Sequence, residues 1–438
     1  MRKLPGHPIR LSASDSVSPA VRMNSSSPRR LSILYVSHLP ASPPRFGAQA
    51  RIHGLMNELA QHHDLTALTL IDEEFDAEEC RRHMQAYCRE VTLLPNSNGK
   101  DGVTKRLLQL RSLTSTQSFE RLRTTAPKLQ GALNEILRAK RFDIINLEFP
   151  YLGHLDFRQA PPGEKTPALV VDSHEIAYDL ARQFAETGAT SFRRAYAGIN
   201  WRKLRREELK SYRDADGVYL CSVADEQRLL DQVPGVRTAV IPNAADVTYF
   251  QPPPSDRPAD GRTVVYFGLL STAPNVDGVI HFVENIWPRI AAAHPDAHFK
   301  IIGGKPPPAL QALAGARITL TGFVEDLRPH LAGAAAIVVP LRLGGGTRLK
   351  IVEAMAMGKA IVSTSLGAEG IDAEPGRDII IEDQPSAFAD AVNRLLAEPG
   401  LAQRIGVAAR TLAVERYSWA GAAKTLENFY ERILGDMS

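Results

Sequence analysis

The chain is 438 residues long, 44% apolar and 23% charged, with a formal net charge of +3. That length exceeds one ordinary domain, and the composition is that of a globular protein, which excludes wholesale disorder and fibrous repeats. The near balance of charge excludes a general affinity for nucleic acid, so any basic function has to sit in a local patch.

No run of roughly 18 apolar residues occurs, so no membrane-spanning helix is expected. Cys80, Cys88 and Cys221 show neither a pairing framework nor metal-ligand spacing, which points to a reducing compartment. The N-terminal charges are not followed by an apolar signal core, so a cytoplasmic, multidomain protein is the expectation.

Residues 1–30 carry Arg2, Lys3, Arg10, Arg22, Arg29 and Arg30 against the single acid Asp15, with no apolar periodicity. Such a segment buries too little surface to offset its ordering entropy, and a disordered basic tail is expected. LSILYVS at 31–37 reads as the first buried strand. A Pro/Gly loop and the helical RIHGLMNELAQH follow, then strands DLTALTLID and REVTLLP. Residues 101–141 read as amphipathic helix, with Leu107, Leu108, Leu110 and Leu113 giving way to Leu133, Ile136 and Leu137. FDIINLEF and PALVVDSH are further buried strands. Strand and helix alternating at these intervals predict a parallel sheet covered on both faces.

Around 242–262 the polar, Pro-rich IPNAADVTYFQPPPSDRPADG reads as an interdomain linker. The alternation then restarts with TVVYFG, AHFKIIGG, ARITLTG, AAAIVVPL, KAIVST and RDIIIED. Two parallel-sheet domains facing across a cleft follow, and the cleft is the default ligand site because open parallel sheets bind beyond the carboxyl ends of their strands.

The strongest chemical signal is VVPLRLGGGTRLKIVEAMAMGKAIVST at 338–364. A buried strand runs into Gly344, Gly345 and Gly346, and a helix opens near Thr347. Glycines at a strand-to-helix turn let backbone N–H groups approach an anion, and the helix N-terminus adds partial positive charge. Arg348 and Lys350 sit in the first turn, where cations oppose the helix dipole unless an anion is bound. Glu353 suits the hydroxyls of a ribose, although Lys350 and Lys359 are alternative partners for it, and glycines also close ordinary turns.

These motifs resemble the retaining, nucleotide-sugar-dependent glycosyltransferases of glycosyltransferase family 4, in a branch with a GGGTR-like glycine loop. The resemblance covers residues 31–436 and rests on IPNAADVTYF, YFGLLSTAPNVDGV, KIIGG, LTGFVEDL, the GGGTRLKIVEAMAMGKAIVST block and Gly367–Ala368–Glu369–Gly370. It implies the α/β GT-B fold, two Rossmann-like domains across a cleft. The corresponding division is a tail at 1–30, an acceptor-side domain at 31–245, a nucleotide-sugar domain at 246–410 and a C-terminal helix at 411–438 packing back on the first domain. Glu353 matches the second glutamate of the family's E-x7-E motif; the first falls at 345, where this chain has Gly345. The loop with Ser271, Thr272 and Asn275 lacks the Arg and Lys that hold the donor diphosphate in many members, and Arg348 and Lys350 are expected to replace them. If the loop amides hold the donor, any bulk at 345 is expected to be harmful, because glycine alone tolerates a positive φ and a close backbone approach.

The resemblance also assigns Gly47 to the loop beside donor and acceptor, His174 to the cleft near the transferred sugar, and Gly268, Gly322, Phe323, Thr347 and Leu349 to the donor site. Glu148 and Tyr151, at a strand end, are candidates for the acceptor side. A structural histidine and ordinary turns are the plain alternatives. The basic stretch 192–216, with Arg193, Arg194, Arg202, Lys203, Arg205, Arg206, Lys210 and Arg213, suits either anionic lipid at the inner leaflet or a solvated face. The expected activity is metal-independent, cofactor-free transfer of a hexose from a nucleotide diphosphate sugar to a glycan or lipid-linked acceptor, with His174, Arg348 and Lys350 as the catalytic group. A binding protein without transfer activity, and a two-domain sugar-nucleotide epimerase, are the alternatives.

Overall fold

A computed structural model describes residues 29–96, 98, 102–187, 191–253 and 261–437. The expected tail at 1–28, part of the linker at 254–260 and the side chains of Phe192 and Arg193 lie outside the described residues.

The β-branched runs of the first half form a sheet of β1 (Ser32–Ser37), β2 (Asp64–Ile71), β3 (Glu90–Pro95), β4 (Ile144–Glu148), β5 (Ala168–Ser173), β6 (Gly217–Leu220) and β7 (Thr238–Val240). The strands are parallel and ordered β3-β2-β1-β4-β5-β6-β7. Because strand side chains alternate, Ile33 and Tyr35 of β1 enter one core while Leu34 and Val36 enter another on the opposite face. Both faces are therefore apolar and helix-covered, which is why the strands read as continuous apolar runs. The short β6 and β7 left no comparable run to read.

The second half repeats the plan with β8 (Thr263–Phe267), β9 (His298–Ile302), β10 (Ile318–Leu320), β11 (Ala336–Val339), β12 (Ile361–Ser363) and β13 (Ile380–Ile381), parallel and ordered β10-β9-β8-β11-β12-β13. Here Val264 and Tyr266 face one core, and Val265 and Phe267 the other.

Two expectations need correction. The 101–141 segment is three helices, Gly102–Thr114, Phe119–Thr124 and Leu129–Ala139, the second capped by Ser118 accepting from the Arg121 N–H at 3.1 Å. Leu107 and Leu110 are exposed and not core. The segment 242–262 does join β7 to β8, but its start is packed and not solvent-exposed, with Ala244 and Ala245 fully buried.

The chain crosses between the domains a second time after helix Pro399–Arg416, so a boundary at 411 falls inside that helix. Ala245 N–H donates to the Tyr417 carbonyl at 2.9 Å, and helix Trp419–Asp436 then buries Trp419, Leu426, Phe429, Tyr430 and Ile433 in the first domain's core. The approach is close enough to require glycine opposite. A Cβ on Gly54 would lie 2.3 Å from the Trp419 indole, and one on Gly217 would lie 2.7 Å from Phe429.

Candidate functional site

The glycine loop leaves β11 and enters helix Leu349–Ala356 with Arg348 at the N-cap. Gly344 has φ of +126°, and a Cβ there would lie 2.7 Å from the Arg348 guanidinium. Gly346 has φ of +70°, and a Cβ there would lie 2.8 Å from the His174 carbonyl oxygen. Both positions require glycine. Gly345 does not. Its φ is unexceptional and a Cβ would meet nothing within 4 Å among the described residues, which give no steric ground for intolerance at 345.

Several residues assigned to the donor site also make contacts with the first domain. The Thr347 hydroxyl donates to the Cys221 carbonyl at 2.9 Å, and its own carbonyl accepts from Asn243 Nδ2 at 2.8 Å, so this side chain fastens the loop to the first domain. The Gly344 N–H is held by Gln183 Oε1 at 3.2 Å. Leu349 packs on the first domain's core, and a Cβ on Gly47, at the start of helix Gly47–Leu59, would be 3.9 Å from it. Leu349 thus makes an apolar contact with the first domain, near Gly47.

The two cations take different directions, Arg348 back onto the glycine loop and Lys350 to the loop after β8. Arg348 Nη1 donates to the Gly345 carbonyl, while its Nε and Nη2 are buried with no hydrogen-bond partner among the described residues. Burial lowers its guanidinium pKa against the opposing pull of Glu175, Glu369 and Asp225. Lys350 Nζ donates to the Tyr266 hydroxyl at 2.9 Å and to Asn275 Oδ1 at 3.0 Å, 4.2 Å from the Tyr266 ring centre. Burial, helped by Arg348, pulls it down to about 7. A Cβ on Gly268 would sit 2.8 Å from this ammonium. Lys350 therefore places its charge in the loop after β8 that itself carries no cation. Burial pushes the Glu353 carboxyl up to about 8, with Lys350 pulling the other way.

Gly268, Gly303 and Gly322 lie where β8, β9 and β10 end. A Cβ on Gly303 would lie 2.0 Å from the Gly268 carbonyl, and Gly303 N–H donates to Gly322 O at 3.0 Å. Gly322 has φ of +74° in open space, and Phe323 beside it is 63% exposed.

His174 follows β5. Its Nε2 lies 2.9 Å from Glu148 Oε2 and 3.3 Å from Asp172 Oδ2, and its ring stacks on Phe149 at 3.8 Å between centroids. Phe149, a non-glycine residue at φ of +66°, stacks in turn on Tyr151 at 5.6 Å, so Tyr151 backs the aromatic stack. Burial disfavours the imidazolium, but Asp172 and Glu148 outweigh it and raise the His174 pKa. Burial and the Asp172 charge push Glu148 up to about 7. Asp172 stays low in spite of its burial because Arg51 grips both of its oxygens, at 2.8 and 3.0 Å. Arg51 also donates to the Ile241 carbonyl and to Asn243 Oδ1. Glu148, Asp172 and His174 offer three ligand-type atoms within 4.8 Å of one another, but the Arg51 fork already occupies both Asp172 oxygens.

Sequence reasoning passed over Arg51, Asp172, Asn243 and Tyr266. Two signals were present. Asp172 and His174 are two apart, which places them on one face of a strand, and Arg51 is a cation on the apolar face of a helix. That Glu148 pairs in register with Asp172 is known only from the sheet.

Residues 261–398 match the family described as glycosyl transferases group 1. The chain is 27% identical over 248 residues to alpha-maltose-1-phosphate synthase of Mycolicibacterium smegmatis, covering 50% of this chain and 64% of that protein. The match thus spans less than two thirds of that relative. Among solved structures, sucrose-phosphate synthase of Thermosynechococcus elongatus superposes with a TM-score of 0.69 at 18% identity, over 93% of this chain and 100% of that one. HepE of Anabaena, in complex with UDP and glucose, superposes with a TM-score of 0.64 at 16% identity, over 92% and 100%. The fold is of the GT-B type, with two Rossmann-like parallel-sheet domains.

Proposed function

We propose that this GT-B protein is a glycosyltransferase that moves a sugar from a nucleotide diphosphate sugar to an acceptor hydroxyl, with retention, in polysaccharide or lipid-linked glycan synthesis. The observation that carries the reading is Arg348 and a helix N-terminus at a glycine loop seated against His174, with Lys350 of the same helix placing its charge by Gly268 in the loop after β8. The group 1 match supports the reaction class, and the UDP and glucose held by the Anabaena neighbour support the donor class. Retention and the glycan context rest on the family resemblance.

In this mechanism the bond from the sugar's anomeric carbon to the diphosphate breaks, the acceptor oxygen forms the new bond, and the acceptor's proton passes to the departing diphosphate. Charge builds on the leaving diphosphate. The unpartnered Arg348 Nε and Nη2 are preorganised donors for that charge, and such donors in a dry site give the largest electrostatic return. Lys350 is held near its neutral point by burial, and an arriving diphosphate raises its pKa again, so binding takes up a proton. Glu353, protonated around neutral pH, adds no negative charge beside the anion and offers a hydrogen bond to the ribose. His174, whose imidazolium form Asp172 and Glu148 favour, faces the sugar.

The test is calorimetry with nucleoside diphosphates, followed by mass-spectrometric detection of transfer from a panel of nucleotide sugars. Binding without glycoside formation on any acceptor favours the second reading, a donor-binding protein, for which the motive is Gly345 in place of a glutamate.

A further inference from the structure

Helix Gly102–Thr114 is apolar on two sides. Leu108 and Ser112 are buried against the first domain, while Val103, Leu107 and Leu110 are 73%, 61% and 61% exposed. At about 100° per residue those three side chains fall within roughly 60° of one another, on the side opposite the buried pair. Arg106 and Arg111 come out on either flank of the stripe, Lys105 is also exposed, and GVTKRLLQLRSLT contains no acid. Large exposed apolar side chains scattered singly need no explanation, but a contiguous stripe does.

The neighbouring helix Ser191–Asp214 is fastened to this one. Tyr196 and Ser112 hydroxyls lie 3.0 Å apart, and Lys203 Nζ donates to the Ser112 carbonyl and to the Ser115 carbonyl at 2.6 Å. Arg205 is bonded to Gln232, Arg206 to the Thr116 carbonyl and Lys210 to Asp214, so much of this basic stretch is engaged within the protein. Ile199 is 45% exposed.

We propose that helix Gly102–Thr114 docks on a bilayer containing anionic lipid, with the Val103–Leu107–Leu110 stripe seated at the headgroup boundary and Arg106 and Arg111 reaching the lipid phosphates on either side. Charge complementarity selects this occupant. An apolar stripe bordered by long cationic stems, whose heads remain at the polar layer, has the form of an interfacial helix. This inference stands apart from the transfer reaction and survives its failure.

The test is co-flotation of the full chain with vesicles of phosphatidylcholine, with and without roughly one third phosphatidylglycerol. The wild type is expected to float with the anionic vesicles and to be released by high salt. Leu107→Asp/Leu110→Asp, on exposed positions, should keep the wild-type melting temperature and bind at least about tenfold more weakly. Arg106→Ser/Arg111→Ser should lose about fivefold per cation and much of the salt response. Three results overturn the proposal: no flotation of the wild type, equal binding by wild type and variants, or an apolar stripe that holds two copies together while vesicle binding is unaffected by the variants.

Discussion

Alanine at Gly346 and alanine at Gly345 should have opposite consequences, although the residues are adjacent in one glycine loop. At Gly346 the backbone sits at φ of +70° and the new Cβ would lie 2.8 Å from the His174 carbonyl oxygen. The left-handed conformation alone costs a non-glycine residue about 1–2 kcal/mol. The opposing atom is backbone, so relief requires the loop or the His174 turn to move, and a total loss of about 2–4 kcal/mol is expected. At Gly345 the Cβ meets nothing and the backbone is ordinary, so alanine stabilises by about 0.4–1 kcal/mol through the unfolded chain. Parallel thermal unfolding reads the stability, and calorimetry with a nucleoside diphosphate reads the loop's competence. Gly346→Ala should melt earlier and bind more weakly, while Gly345→Ala should melt at or above the wild-type temperature. Equal shifts in the same direction would refute the seating of Gly346 on His174.

Arg348→Ala and Lys350→Ala should each weaken nucleoside diphosphate binding by about 1.5–3 kcal/mol, roughly 10- to 150-fold. Arg348→Ala should also leave the melting temperature unchanged or higher, because it removes a buried guanidinium with unpartnered nitrogens; unchanged affinity in both variants would discard the anion site. The Glu353 carboxyl has its pKa raised from 4.5 to about 8 on folding, so the folded state holds the extra proton and its stabilising effect, full at low pH, is lost as pH rises toward 8. Glu353→Gln should therefore gain stability relative to the wild type between pH 5 and 8, roughly the span between the two pKa values; parallel melting curves over that range count against it. His174→Ala should lower turnover far more than nucleotide affinity, and an equal loss of both would make His174 a binding or folding residue. Trp419→Ala should destabilise by about 3–5 kcal/mol, because the indole fills the space over Gly54 that joins the last helix to the first domain; a loss below 1 kcal/mol, on the order of a surface substitution, would show that the helix is held elsewhere.

Much of this protein is determined by local pattern. The long apolar runs of β1, β2, β4, β5, β8, β9 and β11 are readable because strands in a covered parallel sheet are apolar on both faces. The glycine loop with Arg348 and Lys350 is readable because anion recognition uses neighbours in sequence, at a turn between a strand and a helix. What tertiary structure alone decides is which distant groups meet. Arg51 reaches Asp172, the sheet register sets Glu148 beside Asp172, and Lys350 turns away from its own loop to Tyr266 and Asn275. It also separates three adjacent glycines into two that are obligatory and one that is not, since the partner of Gly346 is the carbonyl of His174, more than half the first domain away in sequence. Such contacts leave little local trace, because a buried charge or a close backbone approach is set by what the other chain segment brings to the same place.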